Sequence, residues 1–406
     1  MKILHVTPHL GGGVGKAHAA ISAVLPEVVQ QTFLLLEAPR ECRYIEWIEA
    51  AGARVIVAND LDHVASLARD SDIVQFEFWN HPRLFECLAR AQFPPLRSVF
   101  WAHISGLQRP LIPPGLMHMA GRFAFTTDAS MPLSGAAGIE ARKVAVINSG
   151  FGFAETSPRD VTRRKPSIAY LGTVDFVKMH PGFFDAIDAL SDNQVRVSVW
   201  GSVDPHGEVA TRAGAMRHPE RILLRGQTAD PAAALAQADI FFYPLRREHY
   251  GTAENALIEA MSLGLTCVVL DNPAEQAIIR DGETGFVAAS IADCVSLLDL
   301  LLLLPDLREK IGRNASRYVA ETHAPAQAAQ DFMILWLGLL SEAPRLCDFR
   351  NVIGENPADW FLATQQATGV AWQSSPPLVP EKAAKGTLAH FESVFAGDAS
   401  FARLRA

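Results

Sequence analysis

The chain has 406 residues, of which 49% are hydrophobic and 20% charged, as is ordinary for a globular protein long enough for two domains. The formal net charge of -8 argues against general nucleic-acid binding, which needs a basic face, but leaves room for peripheral membrane contact through a local basic patch. The five cysteines show no paired short spacing, so neither a disulfide framework nor a zinc site is supported, and a reduced cytoplasm is favoured.

The chain begins with a strand pattern, MKILHVTP, rather than with the long apolar region and cleavage site of a signal peptide. Apolar runs then alternate with helical stretches, which is typical of the βαβ units of a doubly wound parallel sheet. The predicted strands are 3–6, 32–36, 54–57, 73–76, 97–102 and 144–147. We therefore predict a Rossmann-like domain over 1–155.

A second series of strands follows the polar segment 155–166, which is typical of a linker. These strands are predicted at 168–171, 195–200, 222–225, 240–243 and 267–270. The fold class is thus predicted as α/β, with a second Rossmann-like domain over 165–325 that faces the first across a cleft. Residues 326–406 are predicted as a return helix and an extension that pack towards the first domain.

Four glycines follow the first strand, in the segment PHLGGGVGK. Glycines let the backbone approach a ligand closely, and the N-terminus of the helix they open attracts phosphate. A Walker loop needs glycine where Leu10 stands and Ser or Thr where Ala17 stands, and a dinucleotide fingerprint needs glycine at Lys16 or Ala17. The pattern therefore disfavours an NTPase or a dehydrogenase. A tight turn without a ligand is the alternative.

A loop after the strand ending at Gly172 carries Lys178 to a helix predicted at Pro181. A lysine in this place can neutralise a diphosphate together with the helix dipole. A solvated surface lysine is the alternative.

The most informative stretch runs from Tyr243 to Val287, with Glu248 in a loop and Glu259 inside the following helix. Carboxylates accept hydrogen bonds from the vicinal hydroxyls of sugars and riboses. Glu254 is about 140° round the helix from Glu259, so it is interpreted as a first-turn acid favoured by the dipole. Three small residues keep the helix N-terminus open to a ligand: Gly251, Thr252 and Ala253. Together these features predict a nucleotide-sugar site.

His103 follows a predicted strand in the first domain, in the segment FWAHISG, and is expected to point into the cleft. There it can hydrogen-bond a substrate hydroxyl or transfer a proton, although a lone histidine is more often structural. Glu77 and Trp79 occupy an equivalent strand end, and packing is the favoured interpretation for both.

Taken together, these residues resemble the retaining, nucleotide-sugar-dependent glycosyltransferases of family 4, which have the two-domain GT-B fold. The resemblance extends to about Leu340. It implies that the domain over 1–155 is the acceptor side and that the domain over 165–325 binds the nucleotide-sugar donor. It implies catalytic roles for His103, Glu248 and Lys178, and donor binding by Gly12, Gly13, Lys178, Gly251, Thr252, Ala253 and Glu259. Glu259 matches the second glutamate of the family's E-x7-E motif, and Glu275 lies in its late acidic turn. Two departures are visible: Thr173 stands where the family often has arginine, and Glu248 precedes Glu259 by eleven residues rather than eight.

The activity implied is transfer of a sugar from a nucleoside diphosphate sugar, with UDP or GDP favoured, to a hydroxyl of a glycan, lipid or small molecule. No metal and no cofactor beyond the donor substrate is expected. A cytoplasmic location is expected, with peripheral contact at the inner face of the membrane as a variant of it. Two alternatives stay open: a catalytically degenerate nucleotide-sugar-binding or scaffold subunit, and a nucleotide-sugar 2-epimerase on the same fold.

Overall fold

A computed structural model describes residues 1–39, 41–58, 60–150, 165–249, 251, 254–365 and 386–404. The described chain separates into two compact units. One contains Met1–Gly150, Gly251 and the described chain from Pro325 onward, and the other contains 165–249 and Glu254–Ala324. Most of the predicted linker lies outside the described residues.

The first unit is built on a parallel sheet. In the described chain its strands are β1 (Lys2–Thr7), β2 (Gln30–Leu35), β3 (Arg54–Val57), β4 (Ile73–Phe78), β5 (Ser98–Ala102), β6 (Arg122–Phe125) and β7 (Val144–Val146). They lie in the order β3-β2-β1-β4-β5-β6-β7 with parallel pairing. The order reverses between β1 and β4, and α/β proteins bind ligands at the carboxyl ends of strands beside such a reversal.

Helices cover this sheet because its strands are apolar on both faces. β4 and β5 are buried along their whole length, as parallel strands between two helical layers must be. The helices between the strands are α1 (Gly12–Ser22), α2 (Arg43–Ala50), α3 (Leu61–Arg69), α4 (Pro82–Arg90), α5 (Pro114–Met119) and α6 (Met131–Ala136). Gln75 and Glu77 are polar exceptions within buried β4.

The second unit repeats this architecture. Its described strands are β8 (Ile168–Leu171), β9 (Val197–Trp200), β10 (Ile222–Gly226), β11 (Ile240–Tyr243), β12 (Thr266–Leu270) and β13 (Phe286–Ala288), in the order β10-β9-β8-β11-β12-β13. Pairing is again parallel. The helices are α7 (Phe183–Ala189), α8 (Glu208–Gly214), α9 (Pro231–Leu235), α10 (Asn255–Ser262), α11 (Pro273–Gln276), α12 (Ile291–Leu303) and α13 (Pro305–Thr322).

The last part of the chain completes the first unit. It contains α14 (Pro325–Leu340), α15 (Arg350–Ile353), α16 (Pro357–Ala363) and α17 (Leu388–Val394). Helix α14 packs on α1, and the Trp336 indole donates a hydrogen bond to Gln75 Oε1 at 3.0 Å. Beyond α14, large apolar side chains enter the core of the first unit, namely Phe349, Trp360, Phe391 and Phe401. No helix in the described residues is both long enough and apolar enough to span a bilayer.

Helix α13 passes very close to the turn that ends α10, and a glycine makes this approach possible. A Cβ atom at Gly312 would lie 2.0 Å from the carbonyl oxygen of Gly264. We therefore expect Gly312→Ala to lower the free energy of unfolding by about 1–3 kcal/mol, because the backbone must move apart. Gly214→Ala is the matched control, since a Cβ there meets no atom within 4 Å and stability should stay the same or rise by up to about 1 kcal/mol. Urea denaturation measures both, and equal stabilities would contradict the close approach.

Candidate active site

Lys178 lies on the loop between β8 and α7, which backbone hydrogen bonds hold in place. Asp175 Oδ1 accepts a hydrogen bond from the Lys178 backbone N–H at 3.2 Å. The Lys178 carbonyl accepts from Arg246 N at 2.9 Å, and His180 N donates to the Pro244 carbonyl at 2.9 Å. The loop is therefore fixed beside the segment that follows β11.

The Lys178 ammonium contacts a buried carboxylate. Its Nζ atom donates to Glu254 Oε2 at 2.9 Å, and the Tyr243 hydroxyl donates to the same oxygen at 2.9 Å. The Glu254 side chain is 0% exposed and that of Lys178 is 15% exposed. Burial raises the pKa of Glu254, but Lys178, His249 and Tyr243 outweigh that effect and the pKa is lowered on balance. The carboxylate is therefore ionised and paired with a cation.

Glu254 has an unusual backbone conformation. It directly precedes α10 with φ 35° and ψ 56°, in the left-handed region that glycine occupies most easily. A residue other than glycine held in this region costs roughly 1–3 kcal/mol, and such strain concentrates at functional sites. The side chain does not cap α10, because it turns into the domain towards Lys178.

His249 connects Glu254 to a second buried acid. Its Nε2 atom hydrogen-bonds Glu275 Oε2 at 3.3 Å, and its Nδ1 atom lies 3.7 Å from Glu254 Oε1. Burial raises the pKa of Glu275, in contrast to that of Glu254. Within the described residues Glu254 Oε1 is a buried acceptor that forms no hydrogen bond.

The same three side chains meet the distance condition for a metal site. Ligand atoms of His249, Glu254 and Glu275 all lie within 4.8 Å of one another. Glu254 already contacts the Lys178 ammonium, however, and a second cation beside it would be repelled. Metal-independent chemistry remains a prediction.

Glu248 is not beside Lys178. Its side chain is 63% exposed and lies 3.7 Å from Arg246 Nε. Arg246 also donates to the Phe176 carbonyl at 3.0 Å, which keeps its guanidinium near the Lys178 loop. The structure thus brings Lys178 together with Glu254 rather than with Glu248.

Four further donor-binding residues were predicted in the sequence around the start of α10, namely Gly251, Thr252, Ala253 and Glu259. Glu259 is buried in the second turn of that helix, with 4% of its surface exposed. Gly251 is half-buried. Thr252 and Ala253 lie outside the described residues.

Gly12 and Gly13 belong to the first unit, where they open α1. Both are exposed, and Gly12 has a φ of +65°. The residue before the helix is Gly11, which has no side chain to accept a hydrogen bond from the first-turn amides of α1. Gly15 has a packing role, because a Cβ there would lie 1.7 Å from the Leu10 carbonyl oxygen.

His103 lies at the carboxyl end of β5, also in the first unit. Its Nε2 atom is 2.8 Å from Glu77 Oε2, and the side chain is 8% exposed. Burial lowers the pKa of His103 more than Glu77 raises it, so the imidazole is neutral near pH 7. This neutral ring is suited to hydrogen bonding with a polar ligand.

The second domain matches a known family over residues 165–302, described as Glycosyl transferases group 1. Phosphatidyl-myo-inositol mannosyltransferase of Mycobacterium leprae (strain TN) is 31% identical over 141 residues, or 34% of each chain. Glycosyltransferase 1 domain-containing protein 1 of Xenopus tropicalis is 32% identical over 84 residues, covering 21% of this chain and 24% of that protein. The matches span only about a quarter to a third of these relatives' own length.

Solved structures match nearly the whole fold. A glycosyltransferase from Rickettsia africae has a TM-score of 0.68 at 14% identity, covering 84% of this chain and 99% of that one. HepE of Anabaena, solved in complex with UDP-glucose, has a TM-score of 0.68 at 15% identity, covering 83% and 100%. Such identities show the fold alone, and it is the GT-B fold of two Rossmann-like domains.

The chain is therefore a protein of the GT-B fold class, and its second domain is related to the group 1 glycosyl transferases. These findings confirm the predicted fold class and the predicted relationship to GT-B glycosyltransferases. Membership of family 4 and retention of configuration stay predictions.

The sequence interpretation missed Glu254, His249 and Tyr243 as members of this site. One signal was present for Glu254. It directly precedes a helix, at a position where Ser, Thr, Asp or Asn is preferred and glutamate is unusual. For Tyr243, the only signal was a hydroxyl-bearing side chain at the end of an otherwise apolar strand, since a buried tyrosine hydroxyl usually needs a hydrogen-bond partner.

Proposed function

We propose that this chain transfers a glycosyl unit from a nucleoside diphosphate sugar to an acceptor hydroxyl. The observation that carries the proposal is the buried ion pair between Lys178 and Glu254, the residue that directly precedes α10. Both residues lie within the domain that matches the group 1 family. A UDP- or GDP-sugar is the proposed donor. In support, the related Anabaena structure is described as a complex with UDP-glucose.

During transfer, the bond between the anomeric carbon and the diphosphate oxygen breaks, and the diphosphate leaves with the electron pair. Lys178 and the first-turn amides of α10 would stabilise this charge, because an ammonium and a helix N-terminus both favour an anion. The acceptor oxygen bonds to the anomeric carbon, and its proton passes to the departing phosphate oxygen. Retention of configuration is proposed from the family resemblance.

Glu254 has two roles in this proposal. Before the donor binds, it neutralises the Lys178 ammonium. With the donor present, Lys178 contacts the diphosphate, and Glu254 Oε1 accepts a hydrogen bond from a sugar hydroxyl. Exposed Glu248 is proposed as a second sugar-binding acid.

The other expected residues keep their proposed roles. Glu259 would hold the ribose hydroxyls, and His103 would contact a hydroxyl at the reacting centre. Diphosphate contacts are proposed for Gly12 and Gly13 at the start of α1, and for Gly251, Thr252 and Ala253, which precede α10 in the sequence.

A donor screen tests the proposal. UDP-, GDP- and ADP-sugars are added separately, and we expect one nucleotide to raise the melting temperature, with about 2.7 kcal/mol of stabilisation at a concentration of 100 times Kd. The stabilising donor is then mixed with hydroxyl acceptors, and release of the nucleoside diphosphate is measured with and without a chelator.

Each outcome separates the alternatives. Binding without turnover of any acceptor would indicate a scaffold subunit. Conversion of UDP-N-acetylglucosamine alone into an epimer would indicate a 2-epimerase. A chain that binds none of these nucleotides would contradict the proposal.

A further inference from the structure

A buried carboxylate in the first domain is surrounded by histidines. Glu77, in β4, is 0% exposed, and four nitrogen atoms contact its two oxygens. His5 Nδ1 is 3.1 Å from Oε1, His18 Nε2 is 3.1 Å from Oε2 and His103 Nε2 is 2.8 Å from Oε2. Gln75 Nε2 donates to Oε1 at 3.0 Å. The contacts of His5, Gln75 and His103 are hydrogen bonds, whereas His18 Nε2 is close to the carboxylate without hydrogen-bond geometry.

The charge states of Glu77 and His103 determine which ring nitrogen of His103 carries the proton. Burial raises the pKa of Glu77, yet the influence of His18, His103 and His5 outweighs it and leaves the pKa well below its ordinary value. Burial lowers the pKa of His5 and His103, so both rings are neutral near pH 7. An ionised carboxylate only accepts hydrogen bonds. The single proton of neutral His103 therefore lies on Nε2, facing Glu77.

The other nitrogen of His103 has a different environment. Within the described residues, Nδ1 takes part in no hydrogen bond. The ring packs against Trp101 and Trp79, with centroid distances of 4.5 Å and 5.9 Å, which hold its plane. Nδ1 is thus an acceptor with a fixed direction at the carboxyl end of the sheet.

We propose that Glu77 is a positioning residue, which holds His103 in the Nε2–H tautomer so that Nδ1 accepts a hydrogen bond from a substrate hydroxyl. The contact with substrate rests on the proposed function, whereas the tautomer does not. A carboxylate partner sets which imidazole nitrogen carries the proton, and this sets what the other nitrogen can do. Glu77 therefore has more than the packing role that its sequence suggests.

The tautomer is measured directly by NMR on the full chain labelled with 15N-histidine near pH 7.5. The His103 signals are those that disappear in His103→Gln. We expect a protonated Nε2 and an unprotonated Nδ1 in the wild type. A wild-type His103 that carries its proton on Nδ1, or that is doubly protonated, would overturn the proposal.

Glu77→Gln should weaken this preference. The glutamine side chain has one carbonyl oxygen and one NH2 group. In either orientation, the NH2 group faces nitrogen atoms that donate to the carboxylate in the wild type, so donors face each other. We expect a mixture of His103 tautomers in this variant. The control is His5→Asn, which alters a partner of the other Glu77 oxygen and should leave the His103 tautomer unchanged even if the melting temperature falls. A His103 that stays wholly in the Nε2–H form in folded Glu77→Gln would also overturn the proposal.

A kinetic cycle tests the link to catalysis once a donor and an acceptor are known. We expect Glu77→Gln to lower kcat about 10²-fold with a much smaller change in the donor KM. In the His103→Gln background, the same change should cause little further loss, because the two residues act as a unit. Fully multiplicative losses would contradict the positioning role. The absence of turnover in the wild type would instead contradict the proposed function, and the NMR result would still stand.

Discussion

Lys178→Met is expected to abolish detectable glycosyl transfer and to destabilise the second domain as well. Methionine removes the ammonium that would face the diphosphate, and loss of one such electrostatic contact lowers kcat by about 10²–10³-fold. It also leaves the fully buried Glu254 carboxylate without the ammonium that lies 2.9 Å away. Breaking a buried ion pair from one side costs about 3–5 kcal/mol. Urea denaturation and release of the nucleoside diphosphate measure the two effects.

A double variant separates these effects. In Lys178→Met/Glu254→Gln, the amide can still accept the Tyr243 hydrogen bond but carries no charge, so most of the lost stability should return. Transfer should remain absent. Lys310→Met, at an exposed position of α13, is the control and should change stability by no more than about 0.5 kcal/mol. Unchanged stability in Lys178→Met, or restored transfer in the double variant, would refute this view of the pair.

Glu259→Gln is expected to weaken binding of the nucleoside diphosphate by about 10- to 100-fold and thereby to suppress transfer. A hydrogen bond to a charged group contributes about 1.5–3 kcal/mol, and glutamine keeps the shape of the side chain without the charge. Glu259 is only 4% exposed, so the isosteric change limits the damage to packing. Calorimetric titration with UDP and GDP measures the affinity.

A 2′,3′-dideoxynucleotide serves as the matched ligand. If Glu259 holds the ribose hydroxyls, the wild type and the variant should bind this ligand equally weakly. An equal loss for both ligands would mean that Glu259 acts through the fold, and no loss for either would remove the ribose assignment.

The sequence predicted the sheet framework well because long apolar runs leave few choices. Strands 54–57, 168–171 and 240–243 are observed at the predicted residues, and the other predicted strands shift by one or two residues at their ends. Two strands were missed, Arg122–Phe125 and Phe286–Ala288. Both directly follow a glycine, Gly121 or Gly285, and glycine is typical of loops.

The candidate site was harder to predict because its contacts depend on tertiary structure. Lys178 and Glu254 are 76 residues apart in sequence, and only the pairing of the Lys178 loop beside 244–246 brings them together. The interpretation of Glu254 as a first-turn acid of α10 was wrong, because the helical-wheel argument assumed a helical backbone at this residue. The left-handed conformation at Glu254 directs its side chain towards Lys178. A sequence pattern does not predict this conformation for a glutamate.

The late entry of aromatic side chains into the first domain affects how the chain is made. Phe391 and Phe401 belong to a core whose first described strand starts at Lys2, so this core cannot be completed before residue 401 has been synthesised. The described strands of the unit ending at Ala324 all precede those residues, so that unit can fold while the rest of the first core is still being made. The second domain can therefore complete its core before the first domain does, against the usual N-to-C order of co-translational folding.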